Sequence, residues 1–500
     1  MNAPAGRRLF WEWFAVFLGC AALCSYYQFQ TPYIPCADGY FHIEFARLMR
    51  EHGLFRHGFP WAYFSFWRDG FSDGSPLYHL LLIPFTFGDR AFGVKLATVL
   101  LSALVFSSFY AILGLNGVRA RVYWFWLLLV GGFYFWWRME MPRPQVLSVL
   151  LLLWSLHFLL NGRLRPFAAL SFVYPLSYVA AFLPQAFAVL RWAYLKATER
   201  RSEHAVVLAG LGAFALAFLV HPYFPKNLEF FYAQIVEVMR RAVMPGVDLH
   251  LGKELGPLDT RVFVGAHLPL VVHLLGLGFA FMHRRTPLSE RTRVLFPIML
   301  LLLFLSAVSN RFLEYAVPVA TLFCAFLFTD LAEGLGEADL RRKLGTAFRP
   351  AAAAWLLAMG ATCAVETAVL RNVFAGLPEP SFERLSRALA AKAPAGELVY
   401  TCDWDATPEL FFFNPQHRYF VMLDPTFMYY WDPALWRKWE GLRRLPAEEA
   451  ANTLVGTFGT RFGACQAVYG DFRRTVGSDK RFRILDEDRN GYVFEVVGKG

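Results

Sequence analysis

Apolar residues in this chain come in unbroken runs such as Val122–Trp137 and Val294–Val308, and long stretches carry no polar interruption at either helix or strand period. Runs long enough to cross roughly 30 Å of hydrocarbon read as membrane spans. They fall at 9–27, 91–114, 121–137, 145–161, 165–181, 182–198, 204–221, 261–282, 292–309, 311–329 and 350–370, which makes about eleven transmembrane helices. Arg7 and Arg8 precede the first run and no small-x-small cleavage site follows it, so it is read as an uncleaved span rather than a signal peptide. Segment 76–87, bounded by proline, is too short to cross and is expected to lie along the surface or dip in. The stretch 165–198 is interrupted at Tyr174–Pro175 and Pro184, and fits either one kinked span or a re-entrant pair.

Lys and Arg test this layout, because cytoplasmic loops are enriched in them. Arg7/Arg8, Arg119/Arg121, Arg163/Arg165, Lys196/Arg200/Arg201, Arg284/Arg285/Arg291/Arg293 and Arg341/Arg342/Lys343/Arg349 all land on one side. The N-terminus is then cytoplasmic. The outer face receives loop 28–90, the turn 138–144, loop 222–260, the turn 309–310 and everything after about residue 371. In a bacterium this is an inner-membrane protein facing the periplasm.

Composition agrees: 56% of the residues are hydrophobic and 18% charged, against about 45–50% and about 25% in soluble domains. A soluble enzyme, a disordered chain and a disulfide scaffold are excluded. The net charge of +10 is explained by topology, so nucleic acid is not an expected partner. Seven Cys show no metal-binding spacing. Cys402 and Cys465 are the two in the last segment, and pair if it faces an oxidising compartment.

After residue 371 charge rises, and Gly and Pro punctuate short runs. Glu397–Thr401, Arg418–Leu423, Gly463–Tyr469 and Tyr492–Val497 read as strands; Ser381–Lys392, Pro408–Phe413, Pro433–Arg443 and Ala447–Thr453 as helices. The expected fold is thus a mainly α polytopic membrane domain, 1–371, followed by a small α/β periplasmic domain, 372–500.

The first outer loop, 28–90, opens Cys36-Ala37-Asp38-Gly39-Tyr40-Phe41-His42-Ile43-Glu44-Phe45-Ala46-Arg47-Leu48-Met49. Phe41, Phe45, Leu48 and Met49 share one helical face, and Glu44, Arg47, Arg50 and Glu51 the other. This suits a helix lying at the membrane interface and stopping at Gly53. Asp38 is positioned either as a plain N-cap or as a general base for an acceptor hydroxyl, and the two roles are compatible.

An acidic residue just beyond the first span, followed by Asp-Gly-Tyr-(x)3-Glu-(x)-Ala-Arg-(x)-Met, resembles the first outer loop of the GT-C superfamily of membrane glycosyltransferases. Asp73-Gly74-Ser75-Pro76-Leu77-Tyr78 and Arg143-Pro144 are similar to segments of its protein mannosyltransferase-like and lipid A glycosyltransferase-like members. The resemblance covers roughly residues 5–330. It implies that Asp38 is catalytic. In some members a second acidic motif in the next outer turn assists metal or donor binding. Here that turn, Arg138-Met139-Glu140-Met141-Pro142-Arg143, offers Glu140 alone, so no cofactor is certain and a divalent cation, Mg²⁺ or Mn²⁺, is the one to test. The Trp-Trp-Asp-Tyr-Gly signature of oligosaccharyltransferases is absent, which disfavours peptide Asn glycosylation.

A polyprenyl-phosphate sugar donor leaves a phosphate behind, and cations at the outer leaflet would stabilise it. Arg311 is the first candidate, then Arg138 and Arg143, each weighed against an interfacial arginine reaching lipid phosphates. Glu314, one turn into the membrane, is expected to pair with Arg311. His221 and Lys226 end another span on the outer face and are candidate phosphate contacts, although a structural helix end explains them too. His42 is a candidate substrate contact in the first loop. Asp69, Asp73 and His79 are read mainly as solvated polar residues. Asp403-Trp404-Asp405 could hold a sugar by stacking and hydrogen bonds. The expected activity is inverting transfer of a sugar to a lipid, glycan or protein acceptor. The alternative is a transporter or lipid flippase, which would place polar groups deep in several spans.

Overall fold

The computed structural model describes residues 3–243, 249–284, 287–333 and 348–498. Arg285, Arg341, Arg342 and Lys343, used above to orient the chain, lie outside the described residues. The chain divides into two compact units. The first comprises Met1–Thr31, Leu96–Ala217 and Gly252–Gly376, and the second Pro32–Lys95, Phe218–Leu251 and Leu377–Gly500.

Helical residues occupy every apolar run. Among the described residues, five helices are long and apolar enough to cross a membrane unaided: Arg7–Gln28, Arg90–Leu115, Glu290–Val308, Asn310–Glu333 and Pro350–Ala375. The pair Thr260–Ala266 and Leu268–His283, bent by 80°, makes a sixth if counted as one span. The remaining runs are short or broken, for local reasons. Gln145–Leu160 and His204–Leu219 have 16 residues each, about 24 Å of helix. Run 121–137 splits into Arg121–Leu129 and Phe133–Met139 at Gly132. This glycine has φ +97°, and a Cβ there would sit 2.4 Å from the Ala266 carbonyl oxygen. Stretch 165–198 breaks at Tyr174–Ala181, between helices Leu164–Val173 and Phe182–Glu199. Pro184 does not break it, because it falls in the first turn, where a missing N–H costs nothing.

The second unit holds a five-stranded sheet in the order β2-β1-β3-β5-β4, with β1 Leu398–Thr401, β2 Arg418–Tyr419, β3 Phe462–Gln466, β4 Phe482–Glu487 and β5 Gly491–Val496. β1 runs parallel to β2 and β3, while β3, β5 and β4 are antiparallel. The sequence missed β4, whose Phe-Arg-Ile-Leu-Asp-Glu lacks alternation, and the helices Thr426–Trp431 and Gly470–Ser478. The first loop joins this sheet. Tyr63 N–H donates to the Tyr419 carbonyl and Phe64 N–H to the Phe420 carbonyl, both at 2.8 Å. Phe59, Phe64 and Trp67 pack on Phe411, Phe420 and Phe427.

The loop helix runs Ala37–His52 and stops at Gly53, φ +107°, as expected. Two expectations about it change. Cys36 occupies the cap position, so Asp38 sits inside the first turn, where its charge favours the helix dipole. The supposed water-facing side is covered at Glu44, which is fully buried and held by Arg47 and Arg90, while Glu51 at its end is open. Protein therefore packs against both faces of the helix along its first half.

Candidate active site

In the first unit the three candidate arginines converge. Arg138 closes the short helix Phe133–Met139, Arg143 lies in the turn after it, and Arg311 sits in a tight turn before the helix Leu313–Glu333. Arg138 Nε donates to Glu314 at 2.7 Å and its Nη1 pairs with Glu254. Arg143 Nη1 donates to both Glu254 oxygens at 3.2 Å. Arg311 donates to Glu254 Oε1 through Nε at 2.8 Å and Nη2 at 2.5 Å. The Arg311–Glu314 pair expected from the sequence is replaced. Arg311 precedes the helix in a 3-10 turn, so it is not stacked over Glu314 as an in-helix neighbour would be.

Among the described residues, these three guanidiniums face the carboxylates of Glu254 and Glu314. The Arg138 and Glu314 side chains are only 5% and 1% exposed, so their charges act in a poorly screened setting. Burial works to raise the Glu254 pKa, yet Arg311, Arg138 and Arg143 together hold it well below the usual carboxylate range. Its loop is tied down by Ser309 Oγ donating to the Glu254 carbonyl at 3.1 Å. Glu254 was missed in the sequence because nothing local marks it; its partners lie 57 to 116 residues away.

Glu140 belongs to the same unit but meets other partners. It is fully buried and accepts from Gln28 Nε2 at 2.9 Å. Burial pushes its carboxyl up to about 7, against the pull of hydrogen bonds from Cys24 and Gln28. Among the described residues, no three His, Cys, Asp or Glu side chains are arranged to hold a metal ion, and no step below is routed through one.

In the second unit Asp38 belongs to a group of carboxylates. Burial first, then the charge of Asp403 and, less strongly, that of Asp38, push Asp405 up to about 6. Asp405 is nonetheless open to solvent. Asp403 and Asp405 follow β1, while Gln466 ends β3 and Tyr469 follows it. Tyr469 OH donates to Asp403, and Arg443 stacks over the Tyr469 ring at 4.6 Å. A disulfide between Cys402 and Cys465, Cα–Cα 5.0 Å, clamps the two strand ends that carry these residues. Beside them opens a cavity of about 570 Å³, lined among others by Asp403, Trp404, Glu440, Arg443 and Tyr469. It lies at the carboxyl ends of the adjacent parallel strands β1 and β3, whose onward connections, to β2 and to β4, run to opposite sides, the topological switch point where α/β sheets hold ligands.

His221 is buried and its Nδ1 accepts from the Tyr223 N–H at 3.3 Å. Lys226 is more open and pairs with Glu229 at 3.1 Å. Both belong to the second unit and the arginine cluster to the first. Asp73 and His79, read above as solvated, are 4% and 2% exposed and bonded to each other, and His79 also meets His42.

This fold is shared with known GT-C membrane glycosyltransferases. The archaeal oligosaccharyltransferase AglB from Archaeoglobus fulgidus, in complex with an inhibitory peptide and a dolichol-phosphate, superposes with a TM-score of 0.65 at 12% identity, covering 94% of this chain and 71% of that one. ArnT from Cupriavidus metallidurans bound to undecaprenyl phosphate gives 0.58 at 15% identity, covering 97% and 98%. No family model and no curated protein matches the sequence.

Proposed function

We propose that the chain is an inner-membrane glycosyltransferase that moves a sugar from a polyprenyl-phosphate carrier to an acceptor at the periplasmic face, with inversion. The observation that carries this reading is the convergence of Arg138, Arg143 and Arg311 on Glu254, with Arg138 and Glu314 buried behind it. It occurs in a chain whose fold covers 98% of ArnT, seen with undecaprenyl phosphate, and 71% of AglB, seen with a dolichol-phosphate. The cysteine pair, bonded as in an oxidising compartment, and the basic cytoplasmic loops support the orientation.

In this reaction Asp38 takes the acceptor hydroxyl's proton while that oxygen attacks the anomeric carbon. The bond from carbon to phosphate oxygen breaks on the opposite face, and its electron pair leaves with the polyprenyl phosphate. The arginines stabilise the growing phosphate charge, because each guanidinium offers charge-assisted donors already held in place by Glu254 and Glu314. The cavity beside Asp403 and Trp404, with aromatic faces and hydrogen-bonding groups of both signs, suits a saccharide-bearing acceptor, either lipid or glycan.

The test is transfer by the purified chain in nanodiscs from radiolabelled polyprenyl-phosphate sugars to an envelope extract. Asp38→Asn should lower the rate about 10²–10⁴-fold with folding preserved. Wild-type rates in that variant would remove the assignment.

A further inference from the structure

In the first unit, helices Leu268–Arg284 and Glu290–Val308 both pack on Leu313–Glu333, and a cleft of about 990 Å³ opens between them. Phe323 and Leu327, both buried, form its floor, while Phe279 and Phe296 stand exposed on its walls. Gly276 and Gly278 widen one wall: a Cβ at either would meet no atom within 4 Å. Among the described residues that line the cleft, Arg293 alone is charged. Its Nη2 lies 2.8 Å from Glu199 Oε1, and its Nε is shielded from solvent with no hydrogen-bond acceptor.

Depth and charge choose the occupant. On helix Glu290–Val308 the lining runs from Arg293 to Leu303, a rise of about 15 Å. That is half of the roughly 30 Å hydrocarbon core, so the cleft serves one leaflet, and a partner's spanning helix would be left half unseated. Its charged end is remote from the cluster of Arg138, Arg143 and Arg311, because Arg311 follows the opposite end of that same helix. By the distribution of Lys and Arg among the loops, the Arg293 end is cytoplasmic. An apolar shape alone would select nothing there, since lipid tails are as apolar as the walls. Selection comes from Arg293, whose Nε offers a charge-assisted hydrogen bond to a phosphate oxygen.

We propose that this cleft binds one anionic phospholipid of the cytoplasmic leaflet, with an acyl chain lodged between the two helices and the phosphate held by Arg293. The inference goes beyond the glycosyl-transfer reading and needs only that these helices lie in a membrane. The bound chain joins two helices that otherwise meet across Leu313–Glu333, so the folded unit gains stability in proportion to the lipid's occupancy.

The test is native mass spectrometry of the full chain in detergent, titrated with phosphatidylglycerol, phosphatidylcholine or undecaprenyl phosphate. The wild type should bind phosphatidylglycerol about fivefold more tightly than phosphatidylcholine, the worth of one cation near an anionic headgroup; equal binding overturns the proposal without any variant having to fold. Gly278→Phe fills the cleft and should retain one phosphatidylglycerol fewer per chain, and Gly276→Phe reaches the same space as a second variant. Arg293→Gln should erase the preference between the two headgroups. Undecaprenyl phosphate, expected at the other arginines, should bind the wild type and Gly278→Phe alike, whether or not the chain transfers sugar. An unchanged phosphatidylglycerol count in both glycine variants sinks the site. Displacement of that lipid by undecaprenyl phosphate gives the cleft to the carrier instead, and a dimer of the chain that Gly278→Phe breaks gives it to a second copy; either result refutes the phospholipid.

Discussion

Glu254 occupies the place a donor phosphate would claim, since all three arginines point at it. Glu254→Gln keeps the shape and removes the charge, so the cluster becomes more positive by one unit. A phosphate seated on the same guanidiniums would stand roughly 6 Å from the displaced carboxylate. At an effective dielectric near 20, two unit charges at that distance repel by about 3 kcal/mol. Removing that repulsion would tighten phosphate binding about 100-fold. Some of this is lost because Glu254 no longer orients Arg143 and Arg311, so a ten- to hundredfold gain is expected. The assay is thermal unfolding of the purified chain with undecaprenyl phosphate against undecaprenol, because a ligand that binds the folded state raises stability by mass action. Without lipid the variant should be less stable than the wild type, because the guanidiniums lose the Glu254 charge they share. With the phosphate it should gain more than the wild type, and undecaprenol should do nothing. An equal or smaller gain in Glu254→Gln, or an equal response to undecaprenol, would refute the phosphate role of the cluster.

Three other outcomes follow from single features. Reduction of Cys402–Cys465, which closes a loop of 63 residues, should cost the second unit about 4 kcal/mol, read as an earlier unfolding transition in dithiothreitol. Gly93→Ala should destabilise by about 1–3 kcal/mol or more, since its Cβ would lie 1.9 Å from the Phe85 carbonyl oxygen; denaturation of the variant checks it. Burial pushes Glu409 up to about 7 against backbone hydrogen bonds from Ser381 and Phe382. An acid raised on folding favours the folded state below its unfolded pKa, and that advantage is lost as pH rises through 7. Glu409→Gln should therefore stabilise the chain at pH 8 and leave it unchanged at pH 4, as unfolding curves at the two pH values would show.

Much of this was legible in the sequence, and the limits have physical causes. The apolar runs announced themselves because the membrane demands length and purity of composition. The arginines did too, since the sequence assigns Arg138, Arg143 and Arg311 to outer turns where a leaving phosphate would need a cation. What they bind was not legible. Glu254 looks like any loop glutamate until a chain fold brings residue 138 to it, and Glu314 found Arg138 because a turn intervened before Arg311. Asp73 and His79 were read as solvated because a polar residue in a loop usually is; their burial is a tertiary fact with no local signature. The break at Gly132 likewise depends on Ala266, more than a hundred residues away.

The edge of the sheet carries the broadest consequence. Strand β2 was expected to run 418–423 and stops at Tyr419, yet the next backbone is not idle. The carbonyls of Tyr419 and Phe420 accept from Tyr63 and Phe64, so the first loop completes an edge that would otherwise be left open to stray pairing. Trp61 Nε1 donates to the Pro415 carbonyl at 2.6 Å, and Phe41 and Phe59 both pack on Phe411. The loop that bears Asp38 is thereby built onto the last 130 or so residues. The soluble segment is thus needed to hold the proposed base, whatever it recognises on its own account. Cleaving the chain near residue 377 should then disorder the Asp38 helix, detectable as loss of amide-exchange protection across residues 39–49, even if the apolar helices stay folded.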